Sequence, residues 1–250
     1  MNKLEEVFKN KKAFIPFVVA DDPNFDETVA NVLTLADNGA DIIELGIPFS
    51  DPVADGPIIQ KADLRAFSAG VNTDVVFDIV EKIRESTQVP IIFLTYTNIV
   101  YKYGYENFCR KCSELNISGL VIPDLPLEEQ DELREISDSY DISLIQLIAP
   151  TSGKRVAKIA SQAKGFIYMV SSIGVTGKRE DFSNELGSTI EEIRKVTNVP
   201  IAIGFGIHSV QQAKDLSQIA DGIIIGSAVV EVINKGENLA KYSQLISSAI

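Results

Sequence analysis

Apolar runs rich in β-branched residues alternate along this chain with polar stretches of helical pattern. The runs are almost continuously apolar, which is typical of parallel strands that helices cover on both faces. Eight such runs predict eight strands, at residues 13–20, 41–47, 89–96, 117–124, 142–149, 165–171, 199–205 and 221–227.

The polar stretches between these runs carry signals for the start of a helix. Thr73 and Asp74 can cap one segment, and Pro126 followed by acidic residues opens another. Helices are predicted at residues 25–38, 73–86, 104–115, 127–139, 153–163, 188–197, 208–218 and 237–249, and an extra amphipathic segment, "NKLEEVFKNK", precedes the first strand.

Eight β–α units in a chain of 250 residues match the (β/α)8 TIM barrel of the α/β class. A doubly wound open sheet is the competing architecture, but it usually has fewer strands and often opens with a glycine-rich dinucleotide turn. No G-x-G-x-x-G follows the first strand, and no linker or shift in composition divides the chain. The sequence therefore predicts one barrel domain over residues 1–250, with an extra N-terminal helix and a short helix after strand 8.

The net charge limits the classes of partner that the chain is expected to bind. With 23 basic and 35 acidic residues the net charge is −12, which argues against binding to nucleic acid or an anionic membrane. The charged N-terminus does not resemble a signal peptide, and no apolar run reaches the roughly 18 residues of a membrane span. We expect a soluble cytoplasmic protein.

Cys109 and Cys112 have the spacing of a redox pair, but they lie inside a helical pattern. His208 is the only histidine, so a zinc site lacks ligands, and we assign His208 no role. The two cysteines are predicted to be ordinary core residues, and no metal site is expected.

The two longest strand-to-helix connections are predicted at residues 48–72 and 172–187. In TIM barrels the loops at the carboxyl ends of the strands carry the chemistry, and long loops in compact domains are usually functional. Both loops fall on the same rim of the predicted barrel.

Glu44 lies near the end of the second strand, just before the first of these loops. Strand alternation places it on one face with Ile42 and Gly46, and burial inside the barrel would raise its pKa into the range of a general acid and base. From the pattern alone, a strand-end glutamate that turns to solvent is the more ordinary interpretation, and Asp51 and Asp55 are typical turn formers.

Glycines follow three consecutive strands, as Gly174 and Gly177, then Gly204 and Gly206, then Gly226 beside Ser227. Glycines allow close approach of an anion, and a helix N-terminus offers free N–H groups to a phosphate. Phosphate sites after strands 7 and 8 recur in TIM barrels, so this pattern predicts phosphate binding.

Aromatic and apolar side chains near the strand ends form a third group. Each is compatible with an ordinary core position, and together with the acids they predict a flat apolar pocket. They are Phe17, Leu94, Tyr96, Tyr168 and Phe205.

The string "ELGIPFSDPVADGP", residues 44–57, resembles the tryptophan synthase alpha subunit family, and this long motif is specific. The resemblance extends over nearly the whole chain in the family's order. It is carried further by "FIPFVVADDP", "QKADLRAFSAG", "TYTNIVYKYG", "GLVIPDLPLEE", "FIYMVSSIGVTG", "IAIGFGI" and "DGIIIGSAVV".

The resemblance implies retro-aldol cleavage of indole-3-glycerol phosphate to indole and glyceraldehyde 3-phosphate. It also implies a beta subunit partner in an alpha-beta-beta-alpha heterotetramer, which takes the indole and carries pyridoxal phosphate, whereas this chain needs no cofactor. Glu44 matches the family's proton-transferring acid, and Asp55 matches the carboxylate at the indole nitrogen.

Further site residues follow from the same resemblance. Phe17, Leu94, Tyr168 and Phe205 match indole-pocket positions, and Tyr96 matches an aromatic residue near the catalytic glutamate. Gly177, Gly206, Gly226 and Ser227 match the phosphate site. Thr176 matches a threonine that bonds to the acidic loop on closure, and Asp51, Pro52 and residues 98–102 match partner-facing or loop-ordering positions.

The chain departs from the family pattern at three positions: Asp21 stands where glycine is common, Ser172 where arginine is often found, and Asp63 where asparagine is common. Asp21 predicts a strained or rearranged first loop. The departures concern loop closure and partner coupling more than the chemistry, because none replaces Glu44 or Asp55.

Three alternatives remain at this point. A free-standing indole-3-glycerol-phosphate lyase would have the same chemistry without a partner, and a mainly non-catalytic activator of the beta subunit would not need Glu44 and Asp55. Another phosphate-binding barrel enzyme, such as an isomerase or synthase, usually relies on a lysine at a strand end, and these strands end in none.

Overall fold

The computed structural model describes residues 3–171, 179–204 and 206–250, and its eight parallel strands close into a barrel. Each strand pairs with the next, and the last pairs with the first, which confirms the predicted fold class. The strands are β1 (Ala13–Val19), β2 (Ile43–Gly46), β3 (Ile91–Leu94), β4 (Ile117–Val121), β5 (Ser143–Ile148), β6 (Ile167–Val170), β7 (Ile201–Gly204) and β8 (Gly222–Ile225). The extent of one domain over residues 1–250 stays a prediction.

Helices surround the barrel, including the predicted N-terminal helix and a short helix after β8. They are α1 (Lys3–Val7), α2 (Phe25–Asp37), α3 (Pro57–Ala69), α4 (Thr73–Arg84), α5 (Thr97–Tyr103), α6 (Tyr105–Glu114), α7 (Asp131–Ser139), α8 (Val156–Ala160), α9 (Arg179–Arg194), α10 (Val210–Ser217), α11 (Ser227–Asn234) and α12 (Leu239–Ser247). Within the described part of the chain, no helix is long and apolar enough to span a membrane.

The predicted loops were partly wrong, because helices occupy much of them. The loop at 48–72 contains α3, which has Pro57 in its first turn and ends at Gly70 with a φ of 97°. Both are ordinary helix boundary signals. The loop predicted at residues 172–187 was also too long, because α9 begins at Arg179.

The strand alternation divides the core into an inner and an outer layer. Ile15, Phe17 and Ile42 point into the barrel, whereas Ile43 and Leu45 pack against the surrounding helices. The predicted face shared by Ile42 and Glu44 points inward, since Ile42 belongs to the inner layer and Glu44 lines the inner cavity.

Helix α1 covers the amino-terminal end of the barrel. Leu4 is fully buried with the inward-facing residues, and a Cβ atom added at Gly119 or Gly165 would lie 3.2 or 3.1 Å from its Cδ1 atom. Phe8, just after the helix, packs on Phe166 with ring centroids 5.7 Å apart. Side chains of α1 and of Phe8 therefore pack into the interior of the barrel at this end.

Cys109 and Cys112 are free and buried on α6, as predicted for core residues. Burial raises the pKa of the Cys109 thiol to about 12, so it stays protonated and unreactive.

Replacing Leu4 with alanine is expected to lower the free energy of unfolding by about 2–5 kcal/mol, because it leaves a cavity beneath the barrel. Urea denaturation measures this change. The matched control is Leu64→Ala on α3, where the side chain is 64% exposed and little loss is expected. Equal effects of the two substitutions would contradict the conclusion that α1 packs against the amino-terminal end of the barrel.

Candidate active site

A cavity of about 310 Å3 opens at the carboxyl ends of the strands. Strands β1, β2, β3, β6 and β8 and the loops that follow β2, β7 and β8 contribute to its lining. Eight of the residues predicted from the sequence line it, namely Phe17, Glu44, Asp55, Leu94, Tyr168, Gly206, Gly226 and Ser227. The predicted Thr176, Gly177 and Phe205 lie outside the described residues, as does Ser172.

A larger cavity of about 410 Å3 lies at the opposite end of the barrel, where β4 and β5 begin. Its lining includes Lys164, which pairs with Asp138 at 2.7 Å, and several serines. We place the candidate site at the carboxyl end, because only that cavity contains a fully buried acid among the described residues.

Glu44 is held on β2 between Phe17 of β1 and Ile92 of β3 in the strand register. Its side chain is 0% exposed, and neither carboxyl oxygen has a hydrogen-bond partner among the described residues. Burial, with a smaller contribution from the charge of Asp55, raises the pKa of Glu44 to about 8. Glu44 therefore carries a proton near neutral pH and can both give and take one.

Asp55 lies on the loop between β2 and α3 and is fixed by Tyr96. The Tyr96 hydroxyl donates to Oδ2 of Asp55 at 2.6 Å, and the Ala54 backbone N–H donates to the Tyr96 oxygen at 3.3 Å. Phe49 stacks on the Tyr96 ring with centroids 4.8 Å apart. Tyr96 therefore ties the loop to the end of β3.

The two acids differ in their surroundings. Burial raises the pKa of Asp55, but the hydrogen bond from Tyr96 opposes that shift by favouring the anion. Burial and the neighbouring Asp55 raise the pKa of Tyr96, which keeps its phenol a neutral donor. The arrangement pairs a protonated acid, Glu44, with a second carboxyl whose anion is stabilised.

The apolar walls of the cavity are aromatic rings that pack against glycines. A Cβ atom at Gly46 would lie 2.6 Å from Cζ of Phe17, and one at Gly204 would lie 2.7 Å from Cε1 of Tyr168. Any larger residue at these positions would displace a ring. Leu94 adds an aliphatic surface, so the walls suit a flat aromatic ligand.

The opposite side of the cavity is formed by backbone and small side chains. Gly226 precedes α11 and Ser227 begins it, so the free N–H groups of the first helical turn lie at the cavity. A helix N-terminus of this kind favours an anion such as phosphate. Gly206, with a φ of 73°, adds a turn beside it.

Sequence reasoning missed several lining residues. Six of the seven lie within two residues of a residue that it found, which is the signal that would have identified them, whereas Ile59 lies on the missed helix α3. The seven residues are Val53, Ala54, Gly56, Ile59, Ile207, His208 and Ile224.

Two departures from the family pattern fall within the described residues. Asp21 has a φ of 62°, a conformation that suits glycine, in line with the expected strain in the first loop. Asp63 is buried on α3, and its Oδ2 has no hydrogen-bond partner in the described chain.

Comparisons with known proteins agree over nearly the full chain. A family model described as tryptophan synthase alpha chain matches residues 4–248. A tryptophan synthase alpha chain from Lacticaseibacillus casei is 60% identical over 240 residues, which cover 96% of this chain and 90% of the relative. The relative from Lactiplantibacillus plantarum is 57% identical, covering 93% and 89%.

Solved structures give the same result. Tryptophan synthase subunit alpha from Campylobacter jejuni superposes with a TM-score of 0.89 at 36% identity, covering 100% of both chains. A ligand-free tryptophan synthase structure from M. tuberculosis gives a TM-score of 0.91 at 29% identity, covering 100% of this chain and 99% of the other. With the family model and the relatives, these matches show that the chain belongs to the tryptophan synthase alpha chain family.

Proposed function

We propose that this chain cleaves indole-3-glycerol phosphate to indole and glyceraldehyde 3-phosphate, with Glu44 and Asp55 as its catalytic residues. The observation that carries the proposal is the buried carboxyl of Glu44, which has no hydrogen-bond partner among the described residues and faces the same cavity as Asp55. Membership of the family supports the reaction, and the geometry supports the roles of the two acids.

In the first step Glu44 donates its proton to C3 of the indole ring. This makes the ring an electron acceptor, and the positive charge falls on the indole nitrogen. A pKa of about 8 keeps the proton on Glu44 until the substrate is bound near neutral pH.

Asp55 stabilises that charge by accepting the hydrogen bond of the indole N–H. A carboxylate already fixed in place does this at little cost of reorganisation, and Tyr96 holds it there at 2.6 Å. The aromatic walls formed by Phe17 and Tyr168 hold the ring between the two acids.

In the second step the Glu44 carboxylate takes the proton from the hydroxyl group on the carbon attached to C3. The C–O bond becomes a carbonyl, the bond to C3 breaks, and its electron pair returns to the ring. Indole and the aldehyde leave as neutral groups, and Glu44 recovers its proton, so one acid serves both steps.

The phosphate end of the substrate is assigned to Gly206, Gly226 and Ser227, supported by the N-terminus of α11 in the cavity. Thr176, Gly177 and Phe205 keep the roles that the family resemblance implies. No step assigned to this chain requires a cofactor, because both proton transfers use Glu44.

A beta subunit is the proposed partner, in an alpha-beta-beta-alpha complex whose beta chains carry pyridoxal phosphate and consume the indole. Val53 and Tyr101, on the rim around the cavity, are 75% and 70% exposed, which supports a docking surface there. The reading as a cytoplasmic protein remains a proposal from the sequence.

Indole release from indole-3-glycerol phosphate, measured with and without a beta subunit, tests the function. Release that increases with the partner is expected. Absence of indole in both assays would refute the lyase assignment, and full activity without the partner would favour the free-standing lyase.

Glu44→Gln and Asp55→Asn are each expected to reduce turnover at least about 100-fold, because each removes a group that acts on the reacting ring. Circular dichroism checks that the fold is intact. Asp78→Asn is the matched control, since it neutralises an exposed acid on α4, away from the cavity, and should keep turnover. Near-normal turnover in either test variant would remove that residue from the mechanism.

Glu44 is also expected to make stability depend on pH. Its pKa is raised from 4.5 to about 8, so between these values the folded chain keeps a proton that the unfolded chain has lost. The free energy of unfolding therefore falls as pH rises through this window, by on the order of a few kcal/mol. Glu44→Gln should remove this fall.

Urea denaturation at about pH 5 and about pH 9 measures the difference between wild type and Glu44→Gln. Glu81→Gln, an exposed change on α4, is the control and should keep the wild-type dependence. Identical pH dependence in all three proteins would show that Glu44 does not hold its proton through folding.

A further inference from the structure

The backbone carbonyl of Asp55 is bound by a side chain of helix α3. Gln60, which the chemistry proposed above does not use, donates from Nε2 to the Asp55 oxygen at 2.7 Å. This bond joins the backbone of a proposed catalytic residue to the helix that follows it. Asp55 therefore has a backbone contact in addition to the contact of its carboxyl group with Tyr96.

The regular hydrogen bonds of α3 do not include this carbonyl. Gly56 is the N-cap of the helix, and its own carbonyl accepts the backbone N–H of Gln60 at 3.0 Å, as in an ordinary first turn. The carbonyl of Asp55 lies one residue further out, where the helical pattern provides no donor. Gln60 thus binds two successive carbonyls, one through its backbone and one through its side chain.

The start of α3 has no capping side chain among the described residues. Gly56 has no side chain for this purpose, and Pro57, at the first helical position, has no N–H to be capped. A Cβ atom added at Gly56 would meet no described atom within 4 Å beyond its chain neighbours, so packing does not hold the Asp55–Gly56 peptide either. The Gln60 side chain is therefore the contact that restrains this peptide at the entry to the helix.

Asp55 is held at two points, from two different elements. Tyr96, at the end of β3, donates to its Oδ2 at 2.6 Å, and Gln60, on α3, donates to its backbone oxygen at 2.7 Å. A carboxyl group bound through one oxygen can still tilt when its backbone moves, whereas a second contact on the backbone limits that tilt. Stabilisation of a developing charge depends on an acceptor that is already fixed in place.

We propose that Gln60 is a positioning residue for Asp55, which it holds through the backbone so that the carboxyl group stays where the indole nitrogen develops its charge. The inference rests on the proposed function for this kinetic consequence. Gln60 is not among the described residues that line the cavity, so it acts through Asp55 and not on the substrate. Loss of its hydrogen bond slows the chemical step and leaves binding of the substrate nearly unchanged.

Gln60→Met tests this, because methionine has nearly the same length and helix propensity but no donor, and the exposed position leaves the core intact. Without a beta subunit, kcat for indole-3-glycerol phosphate is expected to fall about 10-fold with KM nearly unchanged, since a small displacement of a catalytic group is costly in rate.

Gln244→Met on α12 is the matched control and should keep wild-type kinetics. It removes an exposed hydrogen bond of the same length, from Nε2 to Oδ1 of Asn38 at 2.7 Å. Asn38 lies between α2 and β2, at the amino-terminal end of the barrel and away from the cavity.

A double-mutant cycle shows whether Gln60 acts through Asp55. In the Asp55→Asn background, where the carboxylate is already lost, Gln60→Met should reduce kcat little further. An equal fold reduction in both backgrounds would overturn the proposal, and so would a kcat of Gln60→Met equal to that of wild type. Gln60→Ala provides a second variant without the donor, and the same pattern is expected.

A readout without turnover separates this inference from the proposed function. The N–H of Gly56 belongs to the same planar peptide unit as the Asp55 carbonyl, so its 15N order parameter reports on the bond from Gln60. The order parameter is expected to fall in Gln60→Met and to keep its wild-type value in Gln244→Met. If indole release fails but this fall is present, only the proposed function is wrong. If the order parameter is the same in all three proteins, the positioning role is wrong.

Discussion

The desolvation of a single carboxyl group, that of Glu44, is the constraint on which the site depends. A buried carboxylate without a partner is strongly disfavoured, so the group keeps its proton. A lysine or arginine beside it would stabilise the anion and remove that proton, and the described lining of the cavity contains neither. The pKa of Glu44 therefore stays raised because the described lining places no lysine or arginine beside it.

The barrel also fixes where this proton can go. Glu44 stands between Phe17 and Ile92 in the register of three neighbouring strands, and its backbone has little freedom to move. Gly46 and Gly204 make room for the aromatic rings that define the plane of a bound ligand. Proton transfer to carbon needs such a fixed geometry, and a strand supplies it better than a loop.

The strands and the face that Glu44 shares with Ile42 could be predicted from sequence because they depend on local periodicity, whereas the burial of Glu44 depends on the closure of the barrel. Helix α3 was missed because the prolines and aspartates before it are typical of a loop. Pro57 and Gly70 nevertheless marked its boundaries. Within the cavity, Ile59 was missed together with the helix that carries it, and His208 was missed because its approach depends on how the loop after β7 folds over the strands.

The surroundings of Asp63 could not be predicted from local sequence. The aspartate at position 63 is visible in the sequence, but its surroundings are not: Arg65, two residues further on, pairs with Asp22, and Oδ2 of Asp63 has no hydrogen-bond partner among the described residues. Long-range pairings of this type are set by tertiary structure, so no local pattern reports them. The same holds for the hydrogen bond between Tyr96 and Asp55, which are 41 residues apart.

That hydrogen bond also affects when the loop of Asp55 becomes ordered. Because the tether from Tyr96 to Asp55 belongs to the folded chain, part of the loop's conformational entropy is lost when the chain folds and need not be lost again at each encounter with substrate. The acceptor proposed for the indole nitrogen is thus part of the folded architecture.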